Sequence, residues 1–399
     1  MTAEHRKISP QKAMILTTLF VALVMFILFL FAEMYIRYTT EDINLWALTG
    51  RKIGVNPASN WAFVDAYSAI TGRPGVFSQD PKKSINNHGF ISTPDITVEK
   101  PGDVIRVVFL GGSSTAGTGY NLADEDTWPW QVGDLLNNTT GKRVEFINAA
   151  LGGYTTFESF GRLWSRVRFF SPDIIVVYHG WNEMYYFDDV DTITKRRTLP
   201  DGSWSLKKTR RSTVTYEPLW IDYLIRPSQL LSKIRIRLST KVGGEVGQAK
   251  KELSADYDKR GLDIYRTNLR LIRDAASVFG AKLFVVKQAT LIVPDLPEED
   301  RERCFYHFHG FDHDAHVDAF NQIYTIIEQE IADDSIIDAT GLSGIPEYFS
   351  DHIHLTKLGA RKLAEFMAGE LGPYIEEQMT AHNAGPAHRQ TEYQQAVQR

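Results

Sequence analysis

The chain has 399 residues, 43% hydrophobic and 23% charged, with 44 Lys and Arg against 49 Asp and Glu for a net charge of -5. Such a chain can bury a large core, and its lack of a basic excess argues against a nucleic-acid partner. The one cysteine, Cys304, excludes an intrachain disulfide and any Cys-rich zinc site.

Residues 13–32 carry no charge. As a helix rising about 1.5 Å per residue they span roughly 30 Å, the hydrocarbon thickness of a bilayer. Arg6, Lys7 and Lys12 against Glu4 predict that residues 1–12 stay cytoplasmic and residues 38–399 lie outside, in a periplasmic or extracellular position. A cleaved signal peptide is the competing reading. Its apolar core is shorter, about 7–15 residues, and ends in a small-x-small site that FAEMYIR does not offer. An exported chain without disulfides fits a bacterial envelope protein better than a eukaryotic secreted one.

Residues 38–100 read as a stalk and lead-in region. From 104 onward short apolar runs (104–110, 144–149, 173–180, 281–289, 335–340) alternate with helical stretches near 128–137, 156–169, 257–279, 315–332 and 355–371. Continuous apolar runs are the pattern of strands buried on both faces. The alternation predicts an α/β domain over 101–375, a three-layer α/β/α sandwich around a mostly parallel sheet. Residues 187–250 interrupt the rhythm. Within them, 195–241 holds twelve Lys and Arg against Asp201, Glu217 and Asp222, a net of +9. This basic insertion reads as a cap-like element or a contact for anionic headgroups or an acidic polymer, and a solvated charged loop is the plainer alternative. IRIRL at 234–238 alternates like an edge strand. Residues 376–399 read as a flexible tail.

Three strand ends carry polar residues suited to chemistry. FLGGSSTAGTGY (109–120) puts Ser113 after a sharp glycine turn, where backbone N–H groups favour an oxyanion or a phosphate. A small-residue turn without chemistry fits that segment as well. INAALGGYTT (147–156) supplies Gly152 and Gly153, and YHGWNEMYY (178–186) supplies Asn182. Near the end, SDHIHLTKLG (350–359) spaces Asp351 three residues before His354, so the carboxylate can bond the imidazole Nδ1 and leave Nε2 free as a base. A helix cap by Asp351 or Ser350 is the alternative, and His352 is the competing base.

Taken together, GGSST, NAALGGY, GWNE and DHIH in this order resemble the SGNH/GDSL hydrolase superfamily over residues 103–372. The resemblance implies a flavodoxin-like sheet, with Ser113 as nucleophile, His354 as base and Asp351 as its orienter. It also implies an oxyanion hole from Ser113, Gly153 and Asn182, with no metal and no cofactor. Two positions depart from the pattern. Gly112 stands where an Asp usually precedes the nucleophile, and Glu183 stands where an Asp usually follows the Asn. Trp181, Glu183 and Tyr185 are candidate pocket residues, with a structural role as the other reading of Glu183, whereas Trp128 and Trp130 are at least as well explained by core packing. His307, His309, His313 and His316 with Asp312, Asp314 and Asp318 read as a polar pocket wall or surface loop, with a metal site as the lesser alternative. The expected function is extracytoplasmic hydrolysis of an O-acyl ester on an envelope polysaccharide or a lipid. An O-acyltransferase using the same triad and a non-catalytic anchored carbohydrate- or lipid-binding protein are the alternatives.

Overall fold

The computed structural model describes residues 9–40, 62–65, 67–72, 82–117, 122–188, 196–198, 204–206, 219–244 and 252–382. They fall into two compact units. The apolar block lies inside one helix, α1 (Pro10–Thr39), longer at both ends than the uncharged stretch. Ser9 caps it, Pro10 occupies the first turn where no amide donor is needed, and none of its side chains is buried. Among the described residues this is the single helix long and apolar enough to cross a membrane.

After α1 come the antiparallel pair β1 (Ala62–Asp65) and β2 (Ala69–Gly72). Then follow β3 (Val104–Gly111), the short α2 (Ser113–Ala116), α3 (Trp128–Thr139), β4 (Arg143–Asn148), α4 (Thr156–Ser165) and β5 (Ile174–His179). The helical turn α5 (Tyr185–Asp188) leads to the insertion. There β6 (Arg196–Thr198) pairs with β7 (Trp204–Leu206), followed by α6 (Trp220–Ile225) and α7 (Gln229–Gly244). The domain resumes with α8 (Arg260–Val278), β8 (Lys282–Lys287), α9 (Glu298–Arg301), α10 (His313–Glu330), β9 (Ile336–Asp338) and α11 (Lys357–His382).

Five strands form one parallel sheet in the order β4-β3-β5-β8-β9. Counting only these strands along the chain, the order is 2-1-3-4-5, the flavodoxin-like order. Helix α3 packs with α11, while α4, α8 and α10 pack side by side, as right-handed crossovers on this strand order require. The central strands β3 and β5 are buried along nearly their whole length, which is why their sequences lack alternation.

Arg106 breaks the apolar run of β3 yet is fully buried. Its guanidinium donates to Glu145 at 2.7 Å, to the carbonyls of Phe170 at 2.6 Å and Val98 at 3.1 Å, and to that of Thr97 at 3.1 Å. It thereby ties the lead-in to the sheet. Residues 82–100 are accordingly part of the packed domain rather than a free stalk, with Phe90, Ile91 and Ile96 in the core. Arg106→Ala should lower unfolding free energy by about 2–4 kcal/mol, because it strips three carbonyls of their donor and the half-buried Glu145 carboxylate of one of its two arginine partners. Chemical denaturation reads this directly, and a change within ~1 kcal/mol would refute the buried-tie account.

Two expectations differ from what is observed. The stretch 234–238 lies within helix α7, not in an edge strand. Its buried neighbours Gln229 and Ser232 are three apart, a helical spacing, and the helix N-terminus is capped by Glu33. The last helix runs past Pro373 to His382, because Leu371 and Ile375 are fully buried and hold it to the core. The remainder of the expected tail, and much of the basic insertion, lie outside the described residues.

Candidate active site

Strands β3 and β5 are neighbours, but the chain leaves them in opposite directions across the sheet, β3 toward β4 and β5 toward β8. Such a switch point opens a crevice at the carboxyl ends of the two strands. Ser113 follows β3 there, and Trp181 and Asn182 follow β5. A small pocket at this edge is lined by Gly112, Ser113, Trp181, Asn182, Gln288 and Ile353 with neighbouring backbone.

The Ser113 Oγ lies 2.7 Å from His354 Nε2. His354 Nδ1 lies 2.8 Å from Asp351 Oδ2 and 3.1 Å from Oδ1. Asp351 Oδ1 also accepts the N–H groups of Ile353 and His354, both at 2.8 Å, so the carboxylate is fixed by its own turn. A further bond from Ser114 Oγ to the Ile353 carbonyl, 3.1 Å, clamps this turn against the nucleophile turn. Burial opposes the charge on Asp351, yet hydrogen bonding and the imidazoles of His354 and His352 outweigh it and hold the carboxyl well below the usual range. The capping role falls elsewhere. Thr356 Oγ1 accepts the Gly359 N–H at 3.1 Å at the start of α11.

His352 is placed differently. Its Nδ1 is 3.8 Å from Asp351 and accepts the Phe305 N–H at 3.4 Å, and its ring lies against Trp181 at 3.9 Å between centroids. Burial pushes it down to about 3, so it is neutral at pH 7. Burial likewise pushes the Cys304 thiol up, away from thiolate chemistry.

The Asn182 side-chain amide donates to the Tyr154 carbonyl at 2.7 Å and lies against Gly112. A Cβ on Gly112 would fall 2.4 Å from Asn182 Nδ2. With the Asn182 amide in this position, no side chain fits at residue 112 without moving it. Gly153 sits in the 151–154 turn with φ of 91°, a left-handed conformation that favours glycine.

Of the candidate pocket residues, Trp181 lines the cavity and Glu183 and Tyr185 do not. Glu183 is fully buried and accepts the Thr156 N–H and Thr156 Oγ1, both at 2.8 Å, so it caps α4. Tyr185 packs on Phe308 and His309. Gln288 escaped the sequence reading. It ends the run of β8, lines the cavity and accepts the Trp181 N–H at 2.8 Å. A polar side chain just past an apolar strand, on the edge where the other polar residues converge, was the available signal.

The histidine-rich segment surrounds Trp181, with His309 and His316 at 4.4 Å and 5.1 Å between centroids. His313 bonds Tyr306 and the Val293 carbonyl, Asp312 caps α10, and Asp318 accepts from Tyr257. Among the described residues no group of His, Cys, Asp and Glu is arranged to hold a metal. Burial moves His179, His316 and His352 from 6.5 to about 3, 4 and 3. Below pH 6.5 the unfolded chain then binds up to three protons that the folded chain refuses. Stability is therefore full above that pH and falls as pH drops toward 4, by up to about 4 kcal/mol per pH unit. Denaturation midpoints measured between pH 7 and pH 4 should show this slope, and a flat profile would count against neutral buried imidazoles.

A flavodoxin-like parallel sheet with serine, histidine and aspartate brought together at its switch point defines a serine hydrolase that acts on ester bonds. The chain belongs to the GDSL-like Lipase/Acylhydrolase family, whose family model matches residues 109–362. No curated protein matches it. Among solved structures it is similar to the acetyl xylan esterase AlAXEase, at 15% identity over 66% of this chain and 98% of that one, with a TM-score of 0.37. TesA gives 15% identity over 67% and 98%, at 0.37. Axe2, an acetylxylan esterase from Geobacillus stearothermophilus, gives 14% over 67% and 94%, at 0.38.

Proposed function

We propose that the protein is a membrane-anchored hydrolase of short O-acyl esters, with Ser113 as nucleophile, His354 as general base and Asp351 as its orienting carboxylate. The observation that carries this is the continuous bond path from Ser113 Oγ through both nitrogens of His354 to Asp351. Ser113 Oγ attacks the ester carbonyl carbon while its proton passes to His354 Nε2. The oxyanion is received by the Ser113 and Gly153 N–H groups and the Asn182 amide. His354 then protonates the leaving alkoxide, and the alcohol departs. Water attacks the acyl-enzyme, gives its proton to His354, and the acid leaves as the proton returns to Ser113.

The space beside Ser113 supports a short acyl group. The pocket walled by Trp181, Gln288 and Ile353 has a volume of about 10 Å³, room for little more than a water-sized group. An acetyl ester on a polysaccharide fits that space better than a long-chain lipid ester. The charges Arg6, Lys7 and Lys12 before the apolar block support a cytoplasmic N-terminus with the catalytic domain outside.

A chain-length series of p-nitrophenyl esters tests this with the full-length protein in detergent. Activity should be greatest on acetate, fall steeply with longer acyl chains and vanish in Ser113→Ala. A rate peaking at long chains would replace the acetyl reading with a lipid one. Acyl transfer to an added sugar in preference to water would make the enzyme an O-acyltransferase.

A further inference from the structure

Helix α7 begins on a side chain of α1. Glu33, one residue beyond the uncharged block, accepts the backbone N–H groups of Gln229 at 2.8 Å and Leu230 at 2.9 Å and the Ser228 hydroxyl at 2.7 Å. Arg37, paired with Glu33 at 2.7 Å, donates to the Pro227 carbonyl at 2.6 Å. The junction between α6 and α7 is thus fixed at the level where the membrane-crossing helix leaves the hydrocarbon.

What α6 and α7 expose there is unusual for a water-facing surface. Trp220, Tyr223 and Leu224 are 72%, 63% and 70% exposed, and Leu219, Ile221, Ile234 and Leu238 are also accessible. Single exposed apolar side chains are ordinary, but five among the six residues 219–224 mark a contact surface. The only acid between 219 and 238, Asp222, is buried and bonded to Arg235 and the Leu219 N–H. The accessible ionic groups are therefore cationic, Arg226 and Arg237 most of all.

We infer that α6 and α7 form an interfacial element lying in the headgroup layer of the bilayer that α1 crosses, on anionic phospholipid. Trp and Tyr are favoured at this depth, Leu and Ile reach the acyl boundary, and arginines meet phosphate. A lipid surface fits better than a protein partner because α1 already brings the junction to that boundary and the exposed charge is of one sign.

The test uses the full chain in lipid nanodiscs containing phosphatidylcholine with or without phosphatidylglycerol. The difference in emission between wild type and Trp220→Phe isolates one indole among eight tryptophans. That difference should be blue-shifted, quenched by lipids brominated near the headgroup and shielded from aqueous iodide. Quenching by iodide without quenching by brominated lipid would overturn the proposal. Shielding from both would also overturn it, since a protein surface or a second copy would then cover Trp220. Arg226→Glu combined with Arg237→Glu should reduce the lipid quenching in phosphatidylglycerol discs and leave phosphatidylcholine discs unchanged. An equal effect in both would remove the anionic-lipid preference.

Discussion

Ser113→Ala is expected to cut kcat on a short-chain ester by ~10^4-fold or more while leaving KM within a few-fold. The hydroxyl is the only atom lost, and the fold around it is held by backbone and by Ser114, so the loss reads the chemical step. Asp351→Asn should cost about as much, ~10^4-fold, for a different reason. The Asp351 carboxylate accepts two backbone N–H groups and the His354 Nδ1 proton. An amide in its place offers one acceptor oxygen to those donors and turns an NH2 toward a partner that must itself donate. The imidazole then settles in the tautomer whose Nε2 carries hydrogen and cannot take the serine proton. Because both residues act in one proton path, the double variant should be no slower than Ser113→Ala alone. Additive losses, or a Ser113→Ala rate within tenfold of wild type, would remove Ser113 from the path. A fluorophosphonate probe gives an independent reading, with labelling lost in Ser113→Ala and in His354→Ala.

The sheet was legible because strands such as β3 and β5 are buried on both faces and so read as apolar runs, broken in β3 only by Arg106, with glycine at each carboxyl end. The juxtaposition of Ser113 with Asp351 and His354, 238 to 241 residues away, was legible through order of motifs rather than through any local pattern. What stayed hidden depended on tertiary partners. Nothing in the local sequence says that Glu33 caps a helix nearly two hundred residues later, and without that cap IRIRL alternates like a strand. Glu183 follows the motif Asn, and a structural role and a pocket role read equally from that place. Its carboxylate turns to the Thr156 N–H, a partner fixed only once β4 and β5 are in register around β3. Gln288 was missed because a polar residue after a strand is common and acquires meaning only when the strand's place in the sheet is known.

Gly112→Asp restores the residue that the superfamily pattern carries before its nucleophile, and here it is expected to damage the enzyme. The new Cβ would fall 2.4 Å from Asn182 Nδ2 and 3.2 Å from the Tyr154 carbonyl. The backbone of the strand-end turn is held by bonds to Gly112 and to Gly111, from Ala116 N–H at 3.0 Å and Leu151 N–H at 3.3 Å, so the movable group is the Asn182 side chain. Its displacement breaks the 2.7 Å bond to Tyr154 that aims the amide and takes one donor from the developing oxyanion. Loss of one such donor is worth about 10^2–10^3 in kcat. Asn182→Ala should give a loss of the same size with KM little changed, and adding Gly112→Asp to it should cost little more, because the clash then has no partner. If Gly112→Asp instead matches wild type, the amide has another way to reach the oxyanion and the glycine is not what positions it. If the double variant is far slower than Asn182→Ala, the aspartate disturbs Ser113 itself rather than acting through the Asn182 amide.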